Sequence, residues 1–317
     1  GVRKIILSTN IAETSLTIDD VSYVIDSARK KEKGYDAANK MASLLPVWAS
    51  RDSLQQRRGR AGRVARGVCF HLLTCEQETQ LDQHDVPEIL RTPLEELCLA
   101  TIQLEMGRVK SVLARTPEPP ERVAVTNAMD TLRRLGALRD GTEKLTPLGQ
   151  HMCRLSVEPR HAKLLLLSAI MGCLDPMLTI VSCLANRDPF ITVPQDKRRE
   201  ADVAKLRLVE QSDEAAVLGG SDHLLLLAAS ERYDTIARQR GERAAGDWCR
   251  DNFLSQSALQ MARRLRHQFD DQLCDSGFGR ARMMSSGEGT NSASRVAALC
   301  MVRSLIGVVL SPDIVWA

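Results

Sequence analysis

Short apolar runs alternate with polar segments along the first 91 residues of the chain. Arg3–Leu7, Ser22–Ile25 and Val68–Leu73 are apolar or β-branched runs bounded by polar residues, which predicts three buried strands. Strands separated by helical or loop connections are typical of an α/β domain with a mainly parallel sheet. Lys30–Trp48 is basic at one end and apolar at the other, and this pattern predicts a protruding hairpin.

Residues 92–158 change to a helical pattern that ends in a short hairpin. Thr92 stands at an N-cap position with proline directly after it, and the next apolar residues repeat at helical spacing. Pro117–Pro120 interrupts the chain before a second helix. Gly136–Lys144 contains an Asp-Gly pair, which predicts a turn between two short strands. The order helix, helix, hairpin is similar to that of a winged-helix module.

Residues 159–275 are almost wholly helical in pattern. Leu164–Leu167 and Leu224–Leu227 are apolar on most sides, so their helices are predicted to lie inside a bundle. Residues 280–294 are rich in serine, glycine and asparagine and predict an exposed loop, and residues 295–317 predict a helix followed by a strand. The first residue is not methionine and both ends look strand-like, so we expect a fragment of a longer protein.

Composition narrows the class of protein. With 317 residues, 44% hydrophobic and 26% charged, the chain suits two or three soluble domains. A net charge of +3 does not by itself indicate nucleic acid. The nine cysteines form no CxxC pair and are predicted to be mostly buried, reduced thiols, while the six histidines show no ligand spacing, so no metal site is expected. The longest apolar stretch is about half a membrane span, so no membrane association is expected.

The segment Gln55–Arg63 carries the densest charge: it holds four arginines, and Arg66 follows shortly after it. Glycines inside a helix cost about 1 kcal/mol each, and like charges three residues apart repel one another. Such a segment makes physical sense against a polyanion, because the arginine fork matches phosphate oxygens. A solvated basic face or a general RNA-binding patch is the alternative on composition, but the ordered spacing Gln-Arg-x-Gly-Arg-x-Gly-Arg disfavours both.

The segment Ser8–Asp19 is a polar loop that directly follows a predicted strand. In α/β folds, ligands bind at the carboxyl ends of parallel strands. Hydroxyl, carboxamide and carboxylate groups in this loop suit phosphate oxygens or ribose hydroxyls. The alternative is a capped turn that satisfies its own backbone.

These two segments resemble motif VI (Gln55–Arg63) and motif V (Ser8–Asp19) of superfamily 2 helicases of the DEAH/RHA class, with a spelling closest to the RHA-like subgroup that includes quadruplex-resolving helicases. The resemblance continues through most of the chain, at Pro87–Leu94, Leu145–Gly149, Asp175–Ile180, Asp188–Phe190 and Ser221–His223. It implies an α/β plus α fold with four parts: the C-terminal part of the second RecA-like domain (1–91), a winged helix (92–158), a helical-bundle or ratchet (HA2) domain (159–275) and the start of an OB-fold (276–317).

For motif VI, the resemblance implies that Gln56 approaches the γ-phosphate and the attacking water. Arg60 and Arg63 would act as arginine fingers on the transferring phosphoryl group, with Gly59 in the nucleotide site. Arg58 occupies a position that varies in the family and is expected to be solvated or paired with an acidic residue.

For motif V, the resemblance implies that Ser15 relays the nucleotide state across the cleft and that Asp19 contacts the ribose. Thr9 and Asn10 would contact the backbone of the nucleic acid.

The implied cofactor is ATP with Mg²⁺. The chain contains no G-x-x-x-x-G-K-[S/T] string and no DEAH tetrad, so the metal would be held mainly by an N-terminal half that it lacks, and the fragment alone is expected to be inactive.

The implied function is that of an ATP-dependent RNA helicase, which couples hydrolysis to translocation and to unwinding or remodelling of single-stranded or structured RNA. Quadruplexes and DNA are alternative substrates. A catalytically inactive RNA-binding scaffold of the same family is the alternative function. The protein is expected inside the cell, in the cytoplasm or the nucleus, and the sequence identifies no protein partner.

Overall fold

A computed structural model describes residues 3–14, 18–36, 41–62, 66–210, 220–279 and 292–310. The strands are β1 (Tyr23–Asp26), β2 (Arg29–Asp36), β3 (Met41–Trp48) and β4 (Val68–His71). The helices are α1 (Ile11–Thr14), α2 (Arg51–Arg58), α3 (Cys75–Thr79), α4 (Glu95–Gln103), α5 (Val109–Leu113), α6 (Arg122–Arg134), α7 (Pro147–Met152), α8 (Pro159–Met171), α9 (Leu174–Leu184), α10 (Arg198–Glu210), α11 (Asp222–Asp251), α12 (Gln256–Asp275) and α13 (Ser292–Leu310). The chain forms two compact units, residues 1–94 with 107–129 and residues 95–106 with 130–317.

A parallel pair of strands, β1 and β4, organises the first unit. Tyr23 pairs with Val68, and the register runs to Asp26 and His71. Two of the three predicted strands and the parallel arrangement are therefore confirmed. Helix α2 packs on one face of this pair, the face that carries Asp26 and His71.

The third predicted strand, Arg3–Leu7, is wrong. These residues form no strand, and Ile5 and Leu7 are 80% and 94% exposed. A strand needs a hydrogen-bonded neighbour, and in the described parts of the chain β1 and β4 pair only with each other. Tyr23 and Phe70 were predicted to be buried, but both are more than half exposed, because they lie on the face of the strand pair opposite α2.

The predicted hairpin is confirmed as β2 and β3, which pair antiparallel from Arg29 and Trp48 to Asp36 and Met41. The Arg29 guanidinium lies 3.4 Å from the centre of the Trp48 ring. Side chains alternate across the hairpin, so Lys30 points inward while its neighbours Arg29 and Lys31 are exposed.

The arginine-rich segment is not one continuous helix. Helix α2 begins after Ser50, whose hydroxyl accepts a hydrogen bond from the Ser53 amide, and it ends at Arg58. Gly59–Gly62 then forms a 3-10 turn. The glycines therefore follow the α-helix and escape the helix-interior cost that the sequence suggested.

The hairpin of the predicted winged helix is present in minimal form. Leu138 and Leu145 make one antiparallel bridge, and Thr146 then caps α7, with Pro147 in its first turn. Helix α4 begins at Glu95, later than predicted, and the Thr92 hydroxyl donates to the Glu88 carbonyl oxygen (2.8 Å) instead of capping it.

The predicted helical bundle is confirmed as α8 to α12. Leu164 and Leu224 are fully buried, as expected from their apolar surroundings. Ser221 caps α11, whose helical geometry breaks at Gly241 (φ 88°, ψ 165°). All nine cysteines are free, as predicted, but only four of them are buried (Cys98, Cys173, Cys183 and Cys249), and Cys75 and Cys300 are exposed.

The C-terminal prediction is only partly tested. Most of the predicted loop 280–294 lies outside the described residues, as do residues 311–317. Residues 295–317 were predicted to form a helix and then a strand; the helix is confirmed as α13, and no strand occurs among residues 276–279 and 292–310, so the start of an OB-fold is not confirmed.

Helix α13 is long and apolar enough to cross a membrane, judged by length and composition alone. Its buried residues Leu299, Val302, Ile306 and Val309 recur at helical spacing, and the helix packs on α8 and α9. The buried share of Ala293–Leu310 is 22%, which is less than a fully enclosed core helix would show.

Candidate functional site

Motif V and motif VI lie side by side in the first unit. The motif V turn continues into α1, and α1 packs against α2, the helix of motif VI. The Arg60 guanidinium donates a hydrogen bond to the carbonyl oxygen of Glu13. This contact joins the two segments directly.

Besides this contact at its carbonyl oxygen, Glu13 accepts two hydrogen bonds through its carboxylate. The Ser53 hydroxyl donates to Oε1 (2.7 Å), and Arg57 Nε donates to Oε2 (3.0 Å). The side chains of Glu13 and Arg57 are only 13% and 12% exposed, so water screens this ion pair weakly.

Arg57 also contacts β1. Its Nη1 donates to Asp26 Oδ1 (2.9 Å), and the same oxygen accepts the Ala28 amide (2.9 Å), while His71 Nδ1 lies 3.4 Å from Oδ2. Burial alone would lower the pKa of Arg57, but the Asp26 and Glu13 carboxylates outweigh it and raise that pKa above its ordinary value. We call Glu13, Asp26, Ser53 and Arg57 the Arg57 cluster.

Next to Ser53, Lys30 forms ion pairs with Asp85 and Glu32. The Ser53 hydroxyl is 3.2 Å from Asp85 Oδ2, and Lys30 Nζ lies 2.7 Å from both Asp85 Oδ2 and Glu32 Oε1. Burial tends to raise the pKa of Asp85, but the hydrogen bond from Lys30 lowers it overall. The hairpin and the segment before α4 are thereby tied to motif VI.

The predicted catalytic side of motif VI is open to solvent where it is described. Gln56 and Gly59 are exposed, and a Cβ added at Gly59 would meet no atom within 4 Å. Arg60 is half-buried against motif V. Arg63 lies outside the described residues, and Arg58 is exposed.

Part of motif V forms the capped turn that its sequence allows as the alternative to a ligand-binding loop. The Thr9 hydroxyl accepts the Ile11 amide at 3.5 Å, and the Asn10 carbonyl oxygen accepts the Glu13 amide at 3.0 Å. Thr9, Asn10 and Asp19 are nevertheless exposed, while Ser15 lies outside the described residues.

Sequence reasoning missed Arg57 and Asp26. The signal was available in part, because Asp26 is a carboxylate at the end of an apolar strand, where an α/β fold buries it beside the helix that follows. Only the packing of α2 on β1 identifies its partner.

The residues present fit one side of a triphosphate site. Exposed glutamine and glycine beside an arginine suit phosphate oxygens, and the open space at Gly59 admits a close approach. Among the described residues, no group of three or more His, Cys, Asp or Glu side chains could hold a metal ion.

Three protein families match successive parts of the chain. Residues 1–65 match the helicase conserved C-terminal domain, residues 128–157 match the winged-helix helicase associated domain (HA2), and residues 158–257 match the ratchet-like helicase associated domain (HA2). Curated DEAH/DExH helicases align with 87–89% of the chain. The chain belongs to the DEAH/DExH-box helicase family. The resemblance seen in motifs V and VI is thus confirmed.

Three relatives illustrate how this DEAH/DExH-box chain aligns. It is 48% identical over 276 residues to the DExH-box ATP-dependent RNA helicase DExH1 of Arabidopsis thaliana, covering 87% of the chain and 26% of the relative. It is 44% identical over 282 residues to the ATP-dependent DNA/RNA helicase DHX36 of Homo sapiens, covering 89% and 27%. It is 47% identical over 284 residues to the putative ATP-dependent RNA helicase DHX57 of Homo sapiens, covering 88% and 20%. The chain spans about a quarter of the length of these relatives.

Proposed function

We propose that this chain is a segment from the C-terminal part of an ATP-dependent RNA helicase that couples hydrolysis to translocation along RNA and to its unwinding or remodelling. The observation that carries the proposal is the contact between Arg60 and Glu13, since it brings motif VI and motif V onto one surface. A helicase needs such a surface, because it must couple the state of the bound nucleotide to its binding of the nucleic acid.

In this function the chain supplies the positive side of the ATPase site. Arg60 and Arg63 neutralise charge that develops on the transferring phosphoryl group, and Gln56 orients the attacking water. Gly59 lets the phosphate approach the backbone, Ser15 relays the nucleotide state, and Asp19 binds the ribose. When bound, ATP with Mg²⁺ supplies the phosphoryl group and the counter-charge, the metal being held mainly by residues outside this chain.

The RNA side is motif V. Thr9 and Asn10 are exposed polar residues next to the Arg60 contact, and they suit the sugar–phosphate backbone, which carries no sequence information. Structured RNA, quadruplexes and DNA all present such a backbone, with RNA distinguished by its 2′-hydroxyl. We place the protein in the cytoplasm or the nucleus, where these substrates occur.

The domain limits belong to the same proposal: 1–91 for the RecA-like part, 92–158 for the winged helix and 159–275 for the ratchet. An inactive RNA-binding scaffold is the second candidate. The exposed, intact Gln56 beside Arg60 favours the enzyme, because a scaffold has no use for a water-orienting side chain.

The test compares the full-length protein with residues 1–317 alone. We expect the full-length protein to show magnesium-dependent ATP turnover that RNA stimulates, and ATP-dependent separation of a labelled RNA duplex. We expect the chain alone to show no turnover above background, because it contains no Walker A lysine and no DEAH carboxylates. Full-length protein that binds RNA without hydrolysing ATP would support the scaffold instead.

A further inference from the structure

The Arg57 cluster lies directly beneath the residues that the proposed function uses, yet none of its members was assigned a role. We infer that Arg57 is a positioning residue: by holding Glu13 and Asp26 at the same time, it fixes the Ile11–Thr14 turn and, through that turn, the Arg60 guanidinium that faces the triphosphate. The inference rests on the proposed function, since it explains how Arg60 is held for that reaction.

The geometry supports the inference because Glu13 is shared by two arginines. Arg57 Nε binds the Glu13 carboxylate, while the Arg60 guanidinium binds the Glu13 carbonyl oxygen. A shift of Glu13 would therefore move the contact on which Arg60 rests. Ser53 holds the other carboxylate oxygen, so the side chain of Glu13 is fixed from two sides.

The other end of the Arg57 fork is anchored in the sheet. Asp26 is 6% exposed and accepts hydrogen bonds from Arg57 Nη1 and from the Ala28 amide. Arg57 thus connects the Ile11–Thr14 turn to strand β1, using two different nitrogens of one planar group. Lysine has a single ammonium nitrogen, so it cannot reproduce the two hydrogen bonds that Nε and Nη1 of the planar guanidinium make to Glu13 and Asp26.

Its neighbour Arg58 provides a matched control. Arg58 has the same side chain on the same helix but is exposed. Arg58→Gln removes an equal charge from motif VI without touching the Arg57 cluster, and it should leave ATP turnover within about twofold of wild type, as expected for a surface substitution.

The test separates positioning from folding. Truncating Arg57 leaves two buried carboxylates without its compensating positive charge, which destabilises a protein strongly. Arg57→Lys keeps a positive charge between them, and Glu13→Gln keeps the shape of its partner, so both variants serve as primary probes. Each is made in the full-length protein and studied below its own melting temperature.

We expect each variant to lower kcat for ATP by about 10-fold to 100-fold, because a misplaced reacting group costs that much, and to leave KM for ATP nearly unchanged. The deciding readout is a double-mutant cycle with Arg60→Ala. If Arg57 acts through Arg60, adding Arg57→Lys to Arg60→Ala should lower kcat by less than about twofold more.

Three other outcomes are informative. Arg57→Lys with wild-type kcat would overturn the inference. So would a full additional loss in the Arg60→Ala background, because the role of Arg57 would then be structural. If Arg60→Ala itself leaves kcat unchanged, the proposed function of motif VI fails, and the inference fails with it, but for that separate reason.

Discussion

Substituting alanine for Gly67 or for Gly59 should have opposite effects on stability, and comparing the two variants tests how motif VI packs on the sheet. A Cβ added at Gly67 would lie 1.9 Å from the Ala61 carbonyl oxygen and 2.7 Å from that of Ser22. Both atoms are backbone, and Ala61 is 2% exposed, so neither can move aside cheaply. The amide of Val68, the residue after Gly67, donates a hydrogen bond to the Ser22 carbonyl oxygen. The 3-10 turn, the start of β1 and the start of β4 therefore all meet at Gly67.

Gly67→Ala should therefore destabilise the first unit by about 3 kcal/mol or more, at the upper end of the usual cost of overpacking. Gly59→Ala is the matched control. Its backbone (φ −62°, ψ −14°) suits alanine, and no atom lies within 4 Å of the new methyl group. Stability should stay the same or rise by up to about 1 kcal/mol, while ATP turnover of the full-length protein should fall because the methyl group blocks the phosphate.

Urea unfolding followed by circular dichroism measures the first effect, and steady-state hydrolysis measures the second. A Gly67→Ala protein as stable as wild type would refute the packing of motif VI on the sheet. A Gly59→Ala protein with full turnover would show that no phosphate approaches this backbone.

Three further predictions concern the second unit. Burial, with neighbouring positive charge, lowers the pKa of His161 to about 4 from 6.5, so stability should be complete above pH 6.5 and fall by on the order of 3 kcal/mol towards pH 4, and His161→Asn should flatten that slope in urea titrations. Gly241→Ala should cost roughly 1–3 kcal/mol, because φ 88° and ψ 165° suit only glycine, while Gly307→Ala, in a helix and with no atom within 4 Å, should leave stability unchanged or raise it by up to about 1 kcal/mol. Burial and the hydrogen bond to Glu242 (2.6 Å) raise the pKa of Tyr233 to about 12, so its stabilising effect should be complete below pH 10 and lost between pH 10 and about 12, and Tyr233→Phe should remove the late phase from a tyrosinate absorbance titration.

Each of these has a clear contrary result. An acid slope that survives in His161→Asn would mean that another group carries it. Equal stability of the Gly241→Ala and Gly307→Ala proteins would contradict the break in α11. A single tyrosinate transition at the ordinary pKa would mean that the Tyr233 hydroxyl is solvated.

The sequence predicted those features that depend on local pattern. Apolar runs were enough for β1, β4 and the bundle helices, the charge and apolar pattern of residues 30–48 was enough for the hairpin, and the spacing of motif VI was enough for the family. Arg3–Leu7 was mispredicted, because β propensity cannot supply a neighbouring strand. Arg57 was missed for a different reason: its role depends on Glu13 and Asp26, which lie 44 and 31 residues away and meet it only in the folded chain.

The central claim is that Arg60 belongs to an ATPase site and Thr9 to a nucleic-acid site. Single-turnover ATP hydrolysis and RNA-binding titration, at one fixed salt concentration because phosphate contacts weaken with salt, test it in the full-length protein. Arg60→Ala should slow hydrolysis by about 10³-fold or more with little loss of RNA affinity, and Arg60→Lys should rescue poorly. Thr9→Ala should weaken RNA binding and leave nucleotide binding nearly intact. An Arg60→Ala protein that hydrolyses ATP at the wild-type rate but loses RNA would contradict the claim, since motif VI would then be a nucleic-acid patch.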